Sequence, residues 1–227
     1  MRIPKPKYII LIGAVCGAFT LQTGLGGIIS VTGTNSSNEP LAATANFTFG
    51  LNTLSLTLSN DILNTDWISA GQALSDFTFT LSDGSTSGGS LNNISGNTIN
   101  VDLQGNVTSG APVSATDWQL QVVSGDTFHL TSLIMGQPDF MIAPAGTSFP
   151  NVNHSVQNFN PYLLTGPVVF SITGDFPAGT TVSSASFSFG TGPETIIPGH
   201  VPDSGATAML LGIALTAAGV VRRFAII

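Results

Sequence analysis

The residues of this chain that could do acid–base, metal or thiol chemistry are three histidines, twelve carboxylates and a lone cysteine. No two of His129, His154 and His200 stand at metal-ligand spacing, and no cysteine accompanies them. Neither a Gly-x-Ser-x-Gly elbow nor a phosphate-binding glycine loop occurs. Glycoside hydrolysis needs two facing carboxylates, and no local pattern selects a pair. Asp61, Asp66, Asp83, Asp102, Asp126 and Asp139 fall in or beside turn-forming stretches. Aspartate there usually bonds its own backbone. The sharper alternative is a calcium site of loop carboxylates and carbonyls, for which EF-hand spacing is absent. Three rings are candidates for stacking on sugars. Trp118 follows the alternation of an apolar strand and is expected in the core. Trp67, in the loop-like stretch 60–73, is the better glycan contact, with Tyr162 beside Pro161 as the second. Five Asn-x-Ser/Thr sequons, at Asn35, Asn46, Asn93, Asn106 and Asn153, follow from a composition rich in those letters.

The elements that must position these residues are bracketed by charge. All five cations sit at the two ends: Arg2, Lys5, Lys7, Arg222 and Arg223. Between Tyr8 and Val221 there is no Lys or Arg, and all twelve acids lie there. Such a body is repelled by phosphate backbones, which excludes nucleic acid as a partner. Residues 1–26 read as a signal peptide addressed to the export translocon. Arg2, Lys5 and Lys7 form its positive start, Tyr8 to Phe19 its apolar stretch, and Gly24 and Gly26 offer small residues for cleavage. An uncleaved anchor is the alternative. Cleavage would remove Cys16, so the exported chain has no disulfide and depends on packing and strand pairing.

Residues 201–227 form the other end. Pro202 disfavours helix for the residue before it, and Asp203 and Ser204 are favoured helix caps. Ala206 to Val221 carries no charge and no proline. At 1.5 Å per residue this run spans about 24 Å as a helix, just short of a ~30 Å hydrocarbon core. It shows no polar face, as a helix packed on a soluble body would. Arg222 and Arg223 then make a basic stop. Positive residues stay cytoplasmic, so basic clusters at both ends place everything between them outside.

Motif, apolar run and terminal arginines resemble the PEP-CTERM class of bacterial sorting signals. Val201-Pro202-Asp203-Ser204-Gly205 matches the VPDSG-CTERM variant letter for letter. The resemblance implies a substrate of an exosortase, a membrane-embedded cysteine transpeptidase that recognises the motif, cuts near it and releases or re-attaches the protein outside. It assigns recognition to Val201, Pro202, Asp203, Ser204 and Gly205, and halting and orienting to Arg222 and Arg223. The chain departs from the pattern in the four residues Phe224-Ala225-Ile226-Ile227 beyond the arginines. Asp203-Ser204-Gly205 also echoes the nucleophile segment of trypsin-like proteases, but that family's flanking glycines are missing. Three phrases, Gly136 to Ile142, Asn158 to Tyr162 and Phe187 to Gly192, are similar to the C-terminal half of many exported PEP-CTERM-type proteins and bring no catalytic residue with them.

The body, 27–200, alternates apolar and polar residues. Phe47, Phe49 and Leu51 form one strand, and Leu54, Leu56 and Leu58 a second, joined tightly at Leu51-Asn52-Thr53. Phe77 to Leu81 is a third, ended by a turn at Ser82-Asp83-Gly84. Ser85 to Gly96 reads as a Gly/Ser/Asn-rich loop. Further strands are expected at Ile99 to Leu103, Trp118 to Val122, Phe128 to Ile134, Val168 to Ile172 and Val182 to Phe189, the last two joined through Gly174 to Gly179. With no 3.6-residue period, the expected fold is all-β: an antiparallel β-sandwich, jelly-roll or immunoglobulin-like, flanked by an N-terminal signal helix and a C-terminal transmembrane helix. The expected function is that of a non-enzymatic surface or extracellular-matrix protein without cofactor. It would be anchored transiently in the inner membrane and then move to the surface or outside. A carbohydrate-binding module for exopolysaccharide and a secreted hydrolase are the alternatives.

Overall fold

The computed structural model describes residues 26–82, 88–134, 137–158, 160, 163–192 and 195–200. The apolar stretch of the signal peptide and the tail from Val201 onward, with the two helices expected there, lie outside these residues. No helix among the described residues is long and apolar enough to cross a membrane.

The regular structure of the described chain is almost all strand: β1 (Ile28–Thr34), β2 (Pro40–Gly50), β3 (Thr53–Asn60), β4 (Leu74–Leu81), β5 (Gly89–Ser95), β6 (Asn97–Val101), β7 (Val107–Pro112), β8 (Gln119–Ser124), β9 (Thr127–Thr131), β10 (Leu133–Ile134), β11 (Gln137–Pro138), β12 (Met141–Ala143), β13 (Leu163–Thr165), β14 (Val168–Gly174), β15 (Val182–Phe189) and β16 (Thr195–Gly199). A 3-10 turn, Ala70–Gln72, and one helical turn, α1 (His154–Gln157), are the helical pieces among the described residues. Five strands make the first sheet, in the order β1-β2-β3-β14-β5. The second runs β16-β15-β4-β12-β13-β6-β7 and branches at β4, whose far edge also carries β9 and then β8. Among the described strands the ladders are antiparallel except for β12–β13, and the isolated Asn60–Pro144 bridge is also parallel.

The sheets curl over a main apolar core because their large residues alternate. Phe47 of β2 meets Phe77 and Phe79 of β4 with ring centroids 5.9 and 5.4 Å apart, and Phe77 meets Phe187 of β15 at 4.7 Å. Each such ring contributes about 1.5–3 kcal/mol by leaving water. Trp118 is buried here as expected, edge-on to Phe170 at 5.0 Å, with its ring N–H donating to the Phe140 carbonyl at 3.0 Å. The Gly174-to-Gly179 connection crosses from the first sheet to the second. It carries Phe176, which packs edge-on to Phe49 at 6.0 Å.

The stretch Ser85 to Gly96 is not a loop throughout: Gly89–Ser95 is β5, the edge of the first sheet. Its alternation is hidden by a bulge. Ser171 pairs with Asn93 but Ile172 with Leu91, so Asn92 is an extra residue. The inward side chains Leu91 and Ile94 are consequently three apart instead of two. The run Phe128 to Ile134 is likewise broken at Ser132, whose amide and hydroxyl both donate to the Ser75 carbonyl.

Candidate functional site

The place where the chain joins and leaves the body is built by β1 and β16, the outer strands of the two sheets. Ile29 and Val31 of β1 point inward while Ser30 and Thr32 face solvent. β16 pairs with β15 from Thr195 opposite Phe189 to Gly199 opposite Ala185. Its free edge reaches β1 through an antiparallel bridge between Ser30 and His200. Two glycines permit the approach. A Cβ on Gly33 would lie 2.7 Å from Ile197 Cδ1, and one on Gly199 would lie 2.5 Å from Ile29 Cγ2. A shallow groove of about 200 Å³ remains along the seam, lined by Ser30, Val31, Thr32, Ile197, Pro198 and His200. Because the bridge is antiparallel, the chain before Ser30 and the chain after His200 run toward the same end of the seam. The two ends of the body therefore emerge at one corner.

The sequence-expected glycan contacts fare differently. Trp67 is fully buried, which corrects the expectation of an exposed ring. Its indole stands edge-on to Phe149 with centroids 4.5 Å apart, and its ring N–H donates to the Ser69 carbonyl at 2.9 Å. The stretch around it is a loop, but one wrapped on a second core that includes Ile62, Ile99, Met141 and Val156. The side-chain amide of Gln72 holds that loop closed. Its Nε2 donates to the carbonyls of Pro40 (2.8 Å) and Asp66 (2.9 Å), and its Oε1 accepts from the amides of Ile68 (2.6 Å) and Ser69 (3.1 Å). No ring face of Trp67 is left for a sugar. Tyr162 lies outside the described residues.

Among the described residues no three His, Asp, Glu or Cys side chains converge as a metal site. His129 faces Asp76 at 3.7 Å on the outer face of the second sheet. Asp76 Oδ1 is buried there without a hydrogen-bond partner. Asp102 behaves as the turn former expected of it. Its Oδ1 accepts from the amides of Gln104 and Asn106, both at 2.8 Å, and its Oδ2 from the Asn106 side chain at 2.9 Å. These bonds, the Asn106 side chain first, hold its carboxyl below the ordinary carboxylate range. A lowered folded-state pKa means that the stabilisation is present above the unfolded value of ~3.9 and is lost as pH falls through the folded value. Asp102→Ala is therefore expected to lower the melting temperature slightly at pH 7 and by less in strong acid near pH 2. Thermal melts at the two pH values check this, and an equal loss at both would contradict it.

Residues 200–223 match the family model described as VPDSG-CTERM motif. The chain carries a VPDSG-CTERM sorting signal. With it comes the mark of an exported protein. No curated protein and no solved structure matches the chain. The matched stretch contains Val201, Pro202, Asp203, Ser204 and Gly205 together with Arg222 and Arg223, all of which lie outside the described residues except for their neighbour His200.

The VPDSG-CTERM match thus begins on the residue that bridges Ser30. Sequence reasoning found the signal by its letters and missed the seam. The strand before the motif, Thr195 to Gly199, holds a proline and two isoleucines in a pattern too short to announce a strand, and its partner on β1 is at the other end of the chain.

Proposed function

We propose that this is a non-enzymatic exported protein, a β-sandwich body delivered through the translocon to the cell surface or extracellular matrix. Its tail is recognised and cut by an exosortase-like membrane enzyme. Val201 to Gly205 are the recognition residues. Ala206 to Val221 is the transient membrane span, and Arg222 and Arg223 hold its end at the cytoplasmic face. The single observation that carries the reading is the family match abutting a body whose two ends emerge together. Until the signal peptide is cut, a chain with one basic cluster before the body and one after it has both junctions on the membrane side. A fold that separated those junctions would have to lie across the membrane surface to satisfy both.

The experiment is the double substitution Pro202→Ala and Asp203→Ala in the full chain, expressed in a host that has the processing enzyme. The parent is expected to lose its tail, seen as a lower intact mass in the extracellular fraction. The variant is expected to remain larger by the mass of the tail and to stay with membranes. Unchanged processing in the variant would refute the recognition role.

A further inference from the structure

We infer that β16 is a detachable strand, which unpairs from β15 to become the spacer through which the tail reaches its processing enzyme. The inference rests on the sorting reading above and adds a conformational step to it. The motif has no spacer of its own: His200 is bridged to Ser30, and Val201 is the next residue. A peptide bond is cut only when the residues around it can leave their folded partners and extend into an active site. An enzyme seated in the membrane cannot come up to the body, so the chain must come down to the enzyme.

β16 is built to leave. None of its five residues is fully buried, whereas its neighbour β15 buries Val182, Ala185, Phe187, Ser188 and Phe189. Ile196 is 57% exposed, and Ile197 is the one β16 side chain that packs, partly buried, on the main core. Pro198 has no amide to give to a ladder, a property confined in sheets to edges and strand ends. On its other side β16 meets β1 through one backbone bridge, Ser30–His200, and through the close approaches of Ile197 to Gly33 and of Ile29 to Gly199. Unpairing leaves the phenylalanine cluster in place. Six residues, 195–200, then extend over about 20 Å at ~3.3 Å each, enough to separate the body from the membrane surface.

The test locks the strand. Ser188 and Ile196 are opposite each other in the β15–β16 ladder. Paired residues of an antiparallel ladder lie within the Cα separation that a disulfide spans. The full chain carrying Ser188→Cys and Ile196→Cys is expected to cross-link on export and to lose at least 10-fold in the fraction of tail removed. Either single substitution should process like the parent, and reductant should restore the double variant. Six Gly/Ser residues inserted between Gly199 and His200 should restore processing with the cross-link intact. A cross-linked chain that is processed at the parental rate overturns the inference while leaving the sorting reading standing. A double variant that stays unprocessed after both reduction and spacer insertion also overturns it, because the defect is then not one of reach. If the parent itself keeps its tail, the sorting reading fails and this step fails with it.

Discussion

Replacing Trp67 by alanine is expected to destabilise the body by about 3–5 kcal/mol, the usual range for truncating a buried tryptophan. For a body of this length that corresponds to a fall in melting temperature of roughly 2–4 °C per kcal/mol. The ring is fully buried, it stands against Phe149, and it caps the core formed by Ile62, Ile99, Met141 and Val156. Its removal leaves a large cavity beneath a loop fixed by hydrogen bonds, which limits collapse. Trp67→Phe should cost less: much of the volume is kept, and the remaining loss is that of the bond to the Ser69 carbonyl. Urea denaturation of the exported body measures both. Binding to labelled exopolysaccharide should be the same for Trp67→Ala as for any equally destabilised core variant. A change below about 1 kcal/mol together with lost polysaccharide binding would put the ring back on the surface.

The strands that could be read from the sequence are those whose inward residues are large and spaced by two. Phe47 and Phe49 pair with Leu56 and Leu54 across a hairpin closed at Leu51 and Asn52, as the alternation on either side predicts. Asn52 takes a φ of 56°, a left-handed turn conformation that asparagine tolerates better than most residues. Phe77, Phe79 and Leu81 were equally plain. The strands that could not be read lack that period for identifiable reasons. β5 hides it behind a bulge at Asn92. β7 is almost wholly exposed and has no buried face to alternate with. The three residues of β12 are all buried, so they show a run instead of a pattern. β8 shows the opposite error: its clean alternation suggests a half-buried strand, yet Leu120 is its one residue that is not exposed.

The functional end of the molecule divides along the same line. A sorting motif is a linear signal, and it survives in the sequence. The seam beside it is a contact between the first strand and the last. No local pattern records it, and only the glycines at Gly33 and Gly199 hint that something must come close. Trp67 failed for a related reason. The Asn60-to-Ala73 stretch is polar, so it reads as a surface loop. Its polar side chains, however, are spent on backbone groups far away in the chain: Asn60 donates to the Ile142 carbonyl at 3.1 Å, and Gln72 to that of Pro40. A buried amide that satisfies distant backbone looks the same, in sequence, as one that is solvated.

Gln72 provides the sharper test of that distinction. Gln72→Leu is expected to cost about 3–4 kcal/mol. Four backbone groups lose their partner at once, and each such bond is worth about 1 kcal/mol. Gln72→Glu keeps the shape and separates the two kinds of bond. A carboxylate still accepts from the amides of Ile68 and Ser69, but it has no proton for the carbonyls of Pro40 and Asp66. Protonated, it regains one donor. The folded state therefore favours the neutral acid and raises that group's pKa above its unfolded value. Stability is then fullest below the unfolded pKa and is lost as pH rises through the folded one. Urea midpoints at pH 4 and pH 8 should show the gap between parent and Gln72→Glu widening toward the higher pH. A gap that is the same at both would mean that the two carbonyls are served by water, and that the loop is held by Trp67 and Phe149 alone.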